Sequence, residues 1–220
     1  EQHRFYANCL NNLAYVYKAT GKIEKAKETY EECLRLAKES VGENSDKYAI
    51  YLGGLAGTYR MMNKNEEAIP LIIKALEILK NKLGENHYDY IDMEYNLAEV
   101  YRESQKFTEA KKHYLNSIKG FLFLIETYFP SLGEKEKTDF YFKVSSAFET
   151  FNSFVIQMKT EHPNESHDDL VERMYDNQLV IKSLLLKETG KVKVQVAASG
   201  DKKLKEDYEE LLKLREAIVQ

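Results

Sequence analysis

The 220-residue chain sets 32 Lys and Arg against 36 Asp and Glu, a net charge of −4, and holds 10 Gly, 3 Pro, 2 Cys and no Trp. So little Pro and Gly excludes a turn-rich all-β fold and a disordered linker. Two cysteines cannot build a disulfide scaffold, and the slightly acidic balance gives nucleic acid no electrostatic attraction.

The first 122 residues are periodic. Leu13-Ala14, Leu55-Ala56 and Leu97-Ala98 recur at a spacing of 42, and so do Tyr17, Tyr59 and Tyr101, then Ala26, Ala68 and Ala110, then Tyr30, Ile72 and Tyr114. The connecting Gly42-Glu43-Asn44 returns as Gly84-Glu85-Asn86, and Tyr48 as Tyr90. Apolar residues three and four apart at Leu10, Leu13, Ala14 and Tyr17 predict one buried face of a helix. Gly21 predicts its end, and Ile23, Ala26, Tyr30, Cys33, Leu34 and Ala37 predict the buried stripe of a second helix. Asn63 and Gln105 replace Gly21 in the later units; Asn tolerates a left-handed backbone, Gln less easily, which leaves room for a different turn there. Units of about 1–41, 42–83 and 84–122 follow. Glu1-Gln2-His3 aligns with Glu85-Asn86-His87, so residue 1 is expected inside an inter-repeat loop of a longer array.

The pattern L-A-x-x-Y, then G, then A-x-x-x-Y resembles the tetratricopeptide repeat. Cys9-Leu10-Asn11-Asn12-Leu13-Ala14, Leu83-Gly84-Glu85-Asn86-His87 and Ala68-Ile69-Pro70-Leu71 resemble its 42-residue kinesin-light-chain subtype. The resemblance implies an all-α superhelix of helical pairs whose first helices line a groove for a protein or peptide partner. Its groove positions fall on Asn8, Asn11, Asn12, Tyr15 and Lys18; on Gly53, Gly54, Gly57, Arg60 and Met61; and on Asp92, Tyr95, Asn96, Glu99, Arg102 and Glu103. Of these, Asn8, Asn12, Tyr15, Lys18, Arg60, Tyr95, Asn96, Glu99 and Arg102 are the candidate binding residues. Asn12 and Asn96 match the subtype's groove asparagines, whose amides both donate to and accept from an extended backbone. Lys18, Arg60 and Arg102 recur at one position and form a basic ladder suited to an acidic peptide. The glycines at 53, 54 and 57 each cost roughly 1 kcal/mol in a helix. Close approach of a ligand backbone and tight helix packing explain them equally well.

From about residue 116 the register fades, and residues 123–220 are expected to form a helical connector. The last repeat helix should run to the Pro130 region, with a loop and a charged helix start over 131–137. Phe140, Val144, Ala147, Phe148, Phe151, Phe154 and Val155 form an aromatic helical stripe. A loop at 162–166 precedes a helix carrying Leu170, Met174, Tyr175, Asn177 and the run 180–186. Alternation over 191–196 argues for a strand, but a lone strand has no partner, and helix is preferred. A last amphipathic helix carries Leu204, Tyr208, Leu211, Arg215 and Ile218. Phe129-Pro130-Ser131-Leu132-Gly133-Glu134-Lys135-Glu136, Tyr175-Asp176-Asn177-Gln178-Leu179, Lys182-Ser183-Leu184-Leu185-Leu186, Ala198-Ser199-Gly200-Asp201 and Tyr208-Glu209-Glu210-Leu211 resemble the connector ahead of the caspase-like CHAT domain in bacterial tetratricopeptide–CHAT proteins. That resemblance implies a cytoplasmic sensor or regulatory arm, with the CHAT protease as partner in cis and its catalytic His and Cys beyond Gln220.

Within the chain itself no catalytic residue, metal or cofactor is expected. Cys9 and Cys33 stand where small apolar residues belong. His162 and His167, beside Glu165, Asp168 and Asp169, read as solvated loop residues, because no further Cys or His completes a tetrahedral site. No membrane partner is implied, since the longest strongly apolar run, 121–125, is far too short to span a bilayer. Three functions stay open: the regulatory half of a protease, a stand-alone adaptor binding a cargo or signalling peptide, and a small-peptide receptor with an effector domain ahead of residue 1. If Ala26 sets the spacing of its helical pair, Ala26→Leu overpacks it and lowers the unfolding free energy in urea by roughly 1–3 kcal/mol.

Overall fold

The computed structural model describes residues 2–180, 198–203, 205–206 and 209; they are helices and loops, with no strand among them. The helices are α1 (Gln2–Ala19), α2 (Ile23–Ser40), α3 (Asp46–Met61), α4 (Asn65–Leu83), α5 (Tyr88–Glu103), α6 (Phe107–Tyr128) and α7 (Glu134–Glu161), with a single 3₁₀ turn at Phe129–Ser131. The chain divides into two compact units, Glu1–Phe154 and Val155–Gln220.

In the first unit α1 pairs with α2, α3 with α4 and α5 with α6, and each pair stacks on the next mainly through its second helix. The repeated alanines explain the close pairing. Ala14 and Ala26, Ala56 and Ala68, and Ala98 and Ala110 have no exposed surface, so no side chain beyond a methyl holds the backbones apart. Tyr30, Ile72 and Tyr114 are the large buried residues one turn further along each second helix.

The turns within the pairs share one geometry. Gly21, Asn63 and Gln105 all have positive φ, +75°, +58° and +59°. The next amide donates back across the turn in every case: Lys22 N to Tyr17 O at 2.8 Å, Lys64 N to Tyr59 O and Lys106 N to Tyr101 O at 2.9 Å. Gln105 therefore makes the same turn as its counterparts; the backbone hydrogen bonds of the helix end outweigh the cost of its Cβ. Gln2 and His3 also depart from expectation, since they lie in α1 rather than in a loop. Neither is a Gly or Pro that would stop the helix short of them. Leu13, expected on the buried face, and Cys9 are exposed, because none of the described helices covers that side of α1.

After α6 the aromatic stripe forms as expected. Val144, Ala147, Phe148, Phe151 and Phe154 are buried on α7, and Phe151 and Phe154 stand 6.1 and 4.7 Å from the Tyr114 ring of α6. In the second unit the 162–166 loop leads to helical residues 168–180, with Leu170 and Asn177 buried and Tyr175 exposed. The expected helical run to Leu186, the alternating 191–196 stretch, and Leu204, Tyr208, Leu211, Arg215 and Ile218 lie outside the described residues.

One buried carboxylate ties α5 to α6. Glu94 accepts from His113 Nδ1 at 2.7 Å, Tyr90 Oη at 3.1 Å and Asn116 Nδ2 at 3.2 Å. Burial alone would push its carboxyl up, but the His113 hydrogen bond and charge, with Asn116 and Tyr90, hold it below the ordinary 4.5. A carboxyl that titrates lower when folded contributes stability that is fully present above pH 4.5 and lost as the pH falls through the folded value. Glu94→Gln should cost roughly 1–3 kcal/mol near neutral pH. It should also flatten the loss of stability below pH 4.5, read by urea denaturation across a pH series.

Candidate functional site

Because first helices follow one another along the stack, residues at equivalent positions line one surface. There a cleft of about 400 Å³ opens between α1, α3 and α5. α1 contributes Asn11, Asn12, Tyr15 and Lys18; α3 contributes Gly53, Gly54, Gly57, Arg60 and Met61; α5 contributes Asp89, Asp92, Met93 and Asn96, and Tyr30 reaches in from α2.

Of the candidate residues, Asn12, Tyr15, Lys18, Arg60 and Asn96 meet in this cleft. The other four are engaged elsewhere. Asn8 accepts from the Tyr51 hydroxyl at 2.9 Å. Tyr95 donates to Thr150 Oγ1 of α7 at 3.1 Å. Glu99 is buried, accepting from the Tyr114 hydroxyl and, at 3.1 Å, from Arg102 Nη2. Arg60 lies 3.8 Å from both Glu99 and Glu103. The basic ladder is thus largely neutralised: Arg102 serves a buried carboxylate, Arg60 leans on two, and Lys18 has no ion pair among the described residues.

The remaining charges in the cleft are destabilised. Burial, with Arg60 close by, lowers the Lys18 ammonium below its ordinary range. Burial raises the Asp92 carboxyl against the opposing hydrogen bond from Asn96. Neutral amides are better accommodated. Asn96 Nδ2 donates to the Asp92 backbone oxygen at 2.9 Å and to its carboxylate at 3.0 Å, leaving the Asn96 carbonyl uncommitted. Asn11 and Asn12 spend no side-chain hydrogen bond within the described residues. The cleft therefore offers amide donors and acceptors beside one lysine that lies 5.6 Å over the Tyr15 ring and within the field of Asp92, without an ion pair.

Helix-face spacing on the first helices could not have found Tyr30, which belongs to a second helix, or Asp89, which lies outside the repeat's groove positions. Tyr30 enters because Gly54 leaves room: a Cβ on Gly54 would overlap its ring, and one on Gly53 would meet Met93 Cε at 2.5 Å. Helix packing thus accounts for Gly54, whose Cβ would meet a rigid ring, whereas the Met93 thioether opposite Gly53 is a flexible end that can move aside. Gly57 differs, since a Cβ there would meet only the mobile Lys18 Nζ, at 3.3 Å.

The other chemical candidates are structural. Cys33 is buried and its thiol is pushed up to about 12, by burial first and then by the Glu32 charge, so it is no thiolate nucleophile near neutral pH. His167 is buried rather than solvated, its Nε2 donating to the His162 carbonyl at 3.0 Å. That hydrogen bond closes the loop and takes the imidazole away from solvent. No group of three or more His, Cys, Asp or Glu among the described residues is placed to hold a metal ion, and none of the described helices is long and apolar enough to cross a membrane.

Stacked antiparallel helical pairs, with a cleft along their first helices, make the first unit an α-α repeat solenoid. The chain belongs to the tetratricopeptide repeat family: its sequence model matches residues 5–81 and 49–121, more than half of the chain. Among solved structures, BtubC (BKLC) from P. vanneervenii is similar at 21% identity and a TM-score of 0.57, over 80% of this chain and 64% of that one. The chain thus spans less than two thirds of that protein's length. Nearly identical TPR-like repeats from Podosopora anserina, described as a kinesin light chain, are similar at 15% identity and a TM-score of 0.52, over 89% of this chain and 99% of that one. A single-substitution form of those repeats gives 14% and 0.52, over 91% of this chain and 100% of that one. At such identities the likeness is one of fold. No curated protein matches the sequence significantly.

The glycines give a contrast to test. Gly54→Ala should lower the melting temperature, since overpacking against Tyr30 at roughly 1–3 kcal/mol exceeds the helix gain of about 1 kcal/mol. Gly57→Ala should keep that gain, because Lys18 can swing aside, and melt at the same temperature or higher.

Proposed function

We propose that this chain is a non-catalytic protein-binding scaffold whose cleft between α1, α3 and α5 takes an extended peptide segment. The observation that carries this is the pair of uncommitted amides on Asn11 and Asn12 and the free carbonyl of Asn96, beside Lys18, which makes no ion pair among the described residues. The amides suit a peptide backbone, and an acidic side chain laid between Lys18 and Arg60 would give Lys18 the direct ion pair it does not make with Asp92. Asn12, Tyr15, Lys18, Arg60 and Asn96 are the contacts in this reading. Asn8, Tyr95, Glu99 and Arg102 hold the repeats together behind them.

In the parent protein we place this scaffold as the cytoplasmic sensor or regulatory arm of a CHAT-type cysteine protease. The motifs at 129–136, 175–179 and 198–201 support that assignment. A stand-alone adaptor is the second reading, favoured by the likeness to repeats described as a kinesin light chain. Sequence beyond Gln220 decides between them: a caspase-like domain with a His–Cys dyad supports the protease arm, and a gene without one leaves the adaptor.

The binding itself is open to an array of 12-residue peptides with and without Asp or Glu at the centre. Acidic members should be retained best, and Asn12→Ala with Lys18→Ala should weaken retention about tenfold, roughly 1.4 kcal/mol, with the melting temperature unchanged. Arg102→Ala should instead lower the melting temperature, because it strips a buried carboxylate of its donor. Equal retention by the double variant and the parent would overturn the proposed cleft.

A further inference from the structure

The two walls of the cleft differ in what they leave unspent. On α1 and α3 the polar groups are the Lys18 ammonium, the Arg60 guanidinium and the amides of Asn11 and Asn12. On α5 the groups left over are acceptors alone. Asn96 commits its Nδ2 to the Asp92 backbone oxygen and to Asp92 Oδ2, at 2.9 and 3.0 Å. Asn96 Oδ1 and Asp92 Oδ1 are left with lone pairs and no donor among the described residues. Asp89 lines the same wall, its carboxylate 3.6 Å from His87 Nδ1. That nitrogen already accepts from the Asp89 amide at 3.2 Å, so it holds no proton to donate.

The cations nearby do not answer these acceptors. Lys18 stands over the Tyr15 ring and attracts Asp92 without an ion pair, and Arg60 is turned to Glu99 and Glu103. Lys143 of α7 attracts Asp92 in the same long-range way, with its ammonium 5.5 Å over the Tyr88 ring. Gly57 keeps the ground beside Lys18 clear, since only Lys18 Nζ stands within reach of a Cβ there.

We propose that the α5 wall is the subsite for an arginine side chain of the bound peptide, with Asp92 as the residue that sets this preference. The cleft then reads an acidic and a basic residue held at one spacing. The inference rests on the peptide reading of the cleft and adds its second charge. A guanidinium carries five donors in a planar fork and no acceptor, the complement of a wall of acceptors. A lysine ammonium is a compact point charge and matches fewer of them at once. An acidic residue alone meets Lys18 but brings a further negative charge toward Asp89 and Asp92, whereas a peptide bearing both charges suits both walls. Burial disfavours the Asp92 charge in the empty cleft, and a guanidinium beside it offsets that penalty.

The test is a peptide array on the full chain, with one central Glu and a single Arg moved through the other positions. Retention should rise about tenfold at one spacing from the Glu, on one side of it, and rise less with Lys in place of Arg. Asp92→Asn keeps the side-chain shape and an oxygen for Asn96. It should abolish the rise, hold the Arg-free Glu peptide at least as well as before, and melt at the same temperature or higher. No rise at any position, a rise at every position, or an equal rise on Asp92→Asn would overturn the arginine subsite, while a retained Glu peptide leaves the peptide cleft standing. If no peptide of either kind is retained, the cleft reading falls and the subsite with it. The scan uses the unaltered chain, so it decides even if Asp92→Asn folds poorly.

Discussion

Between the two helices of every pair the backbones come close because alanine stands at each crossing, and Ala14, Ala26, Ala56, Ala68, Ala98 and Ala110 have no exposed surface. The rest of the first unit follows from that spacing. With the helices drawn together, the large residue one turn along each second helix must find room in the next pair. Tyr30 finds it at Gly54, where no Cβ intervenes. The contact fixes how the second pair sits on the first, and it brings a tyrosine from the second-helix layer to the wall of a cleft otherwise lined by first helices. Steric constraint in the stack thus shapes the binding surface directly, because the same glycine serves both.

Charge in the cleft obeys a similar economy of place. Three cations at equivalent positions would repel a cationic ligand and attract an acidic one if all were free. They are not free. Arg102 answers Glu99, a carboxylate buried against the Tyr114 hydroxyl, and Arg60 lies between Glu99 and Glu103. A buried carboxylate without donors would be strongly destabilising, so the arginines are first of all the means by which Glu99 is tolerated. What is left for a ligand is Lys18, whose charge is disfavoured by burial, and a row of amides. Such a surface recognises backbone first and charge second.

Helical pairing, the turns and the repeat positions were legible in the sequence because each is a local property: apolar spacing, a residue that tolerates positive φ, an alanine at a fixed step. Gln105 was the uncertain turn, and it took the common geometry because the helix-end hydrogen bonds are stronger than one residue's preference. The cleft was only half legible. Helix-face position correctly brings Asn12, Tyr15, Lys18, Arg60 and Asn96 to one surface. It cannot reveal that Tyr51 claims Asn8, that Thr150 claims Tyr95, or that Glu99 faces inward, since those depend on partners 43, 55 and 15 residues away. Exposure of Cys9 and Leu13 was hidden for the same reason: a repeat pattern states which face is apolar, and only the stack states whether it is covered.

The two surfaces of α1 are linked by helix geometry. Asn11, Asn12, Tyr15 and Lys18 face the cleft, while Tyr6, Cys9, Leu13 and Val16 lie on the outer side. Over the third repeat α7 already meets the first-helix surface through Tyr95 and Thr150, so the open part of the groove lies between α1, α3 and the Asp89–Asn96 part of α5. In a repeat array each unit is steadied by its neighbours. One register therefore sets both sides of α1: a residue's place in the helical turn decides whether it lines the cleft, as Asn12, Tyr15 and Lys18 do, or the apolar outer side, as Leu13 and Val16 do.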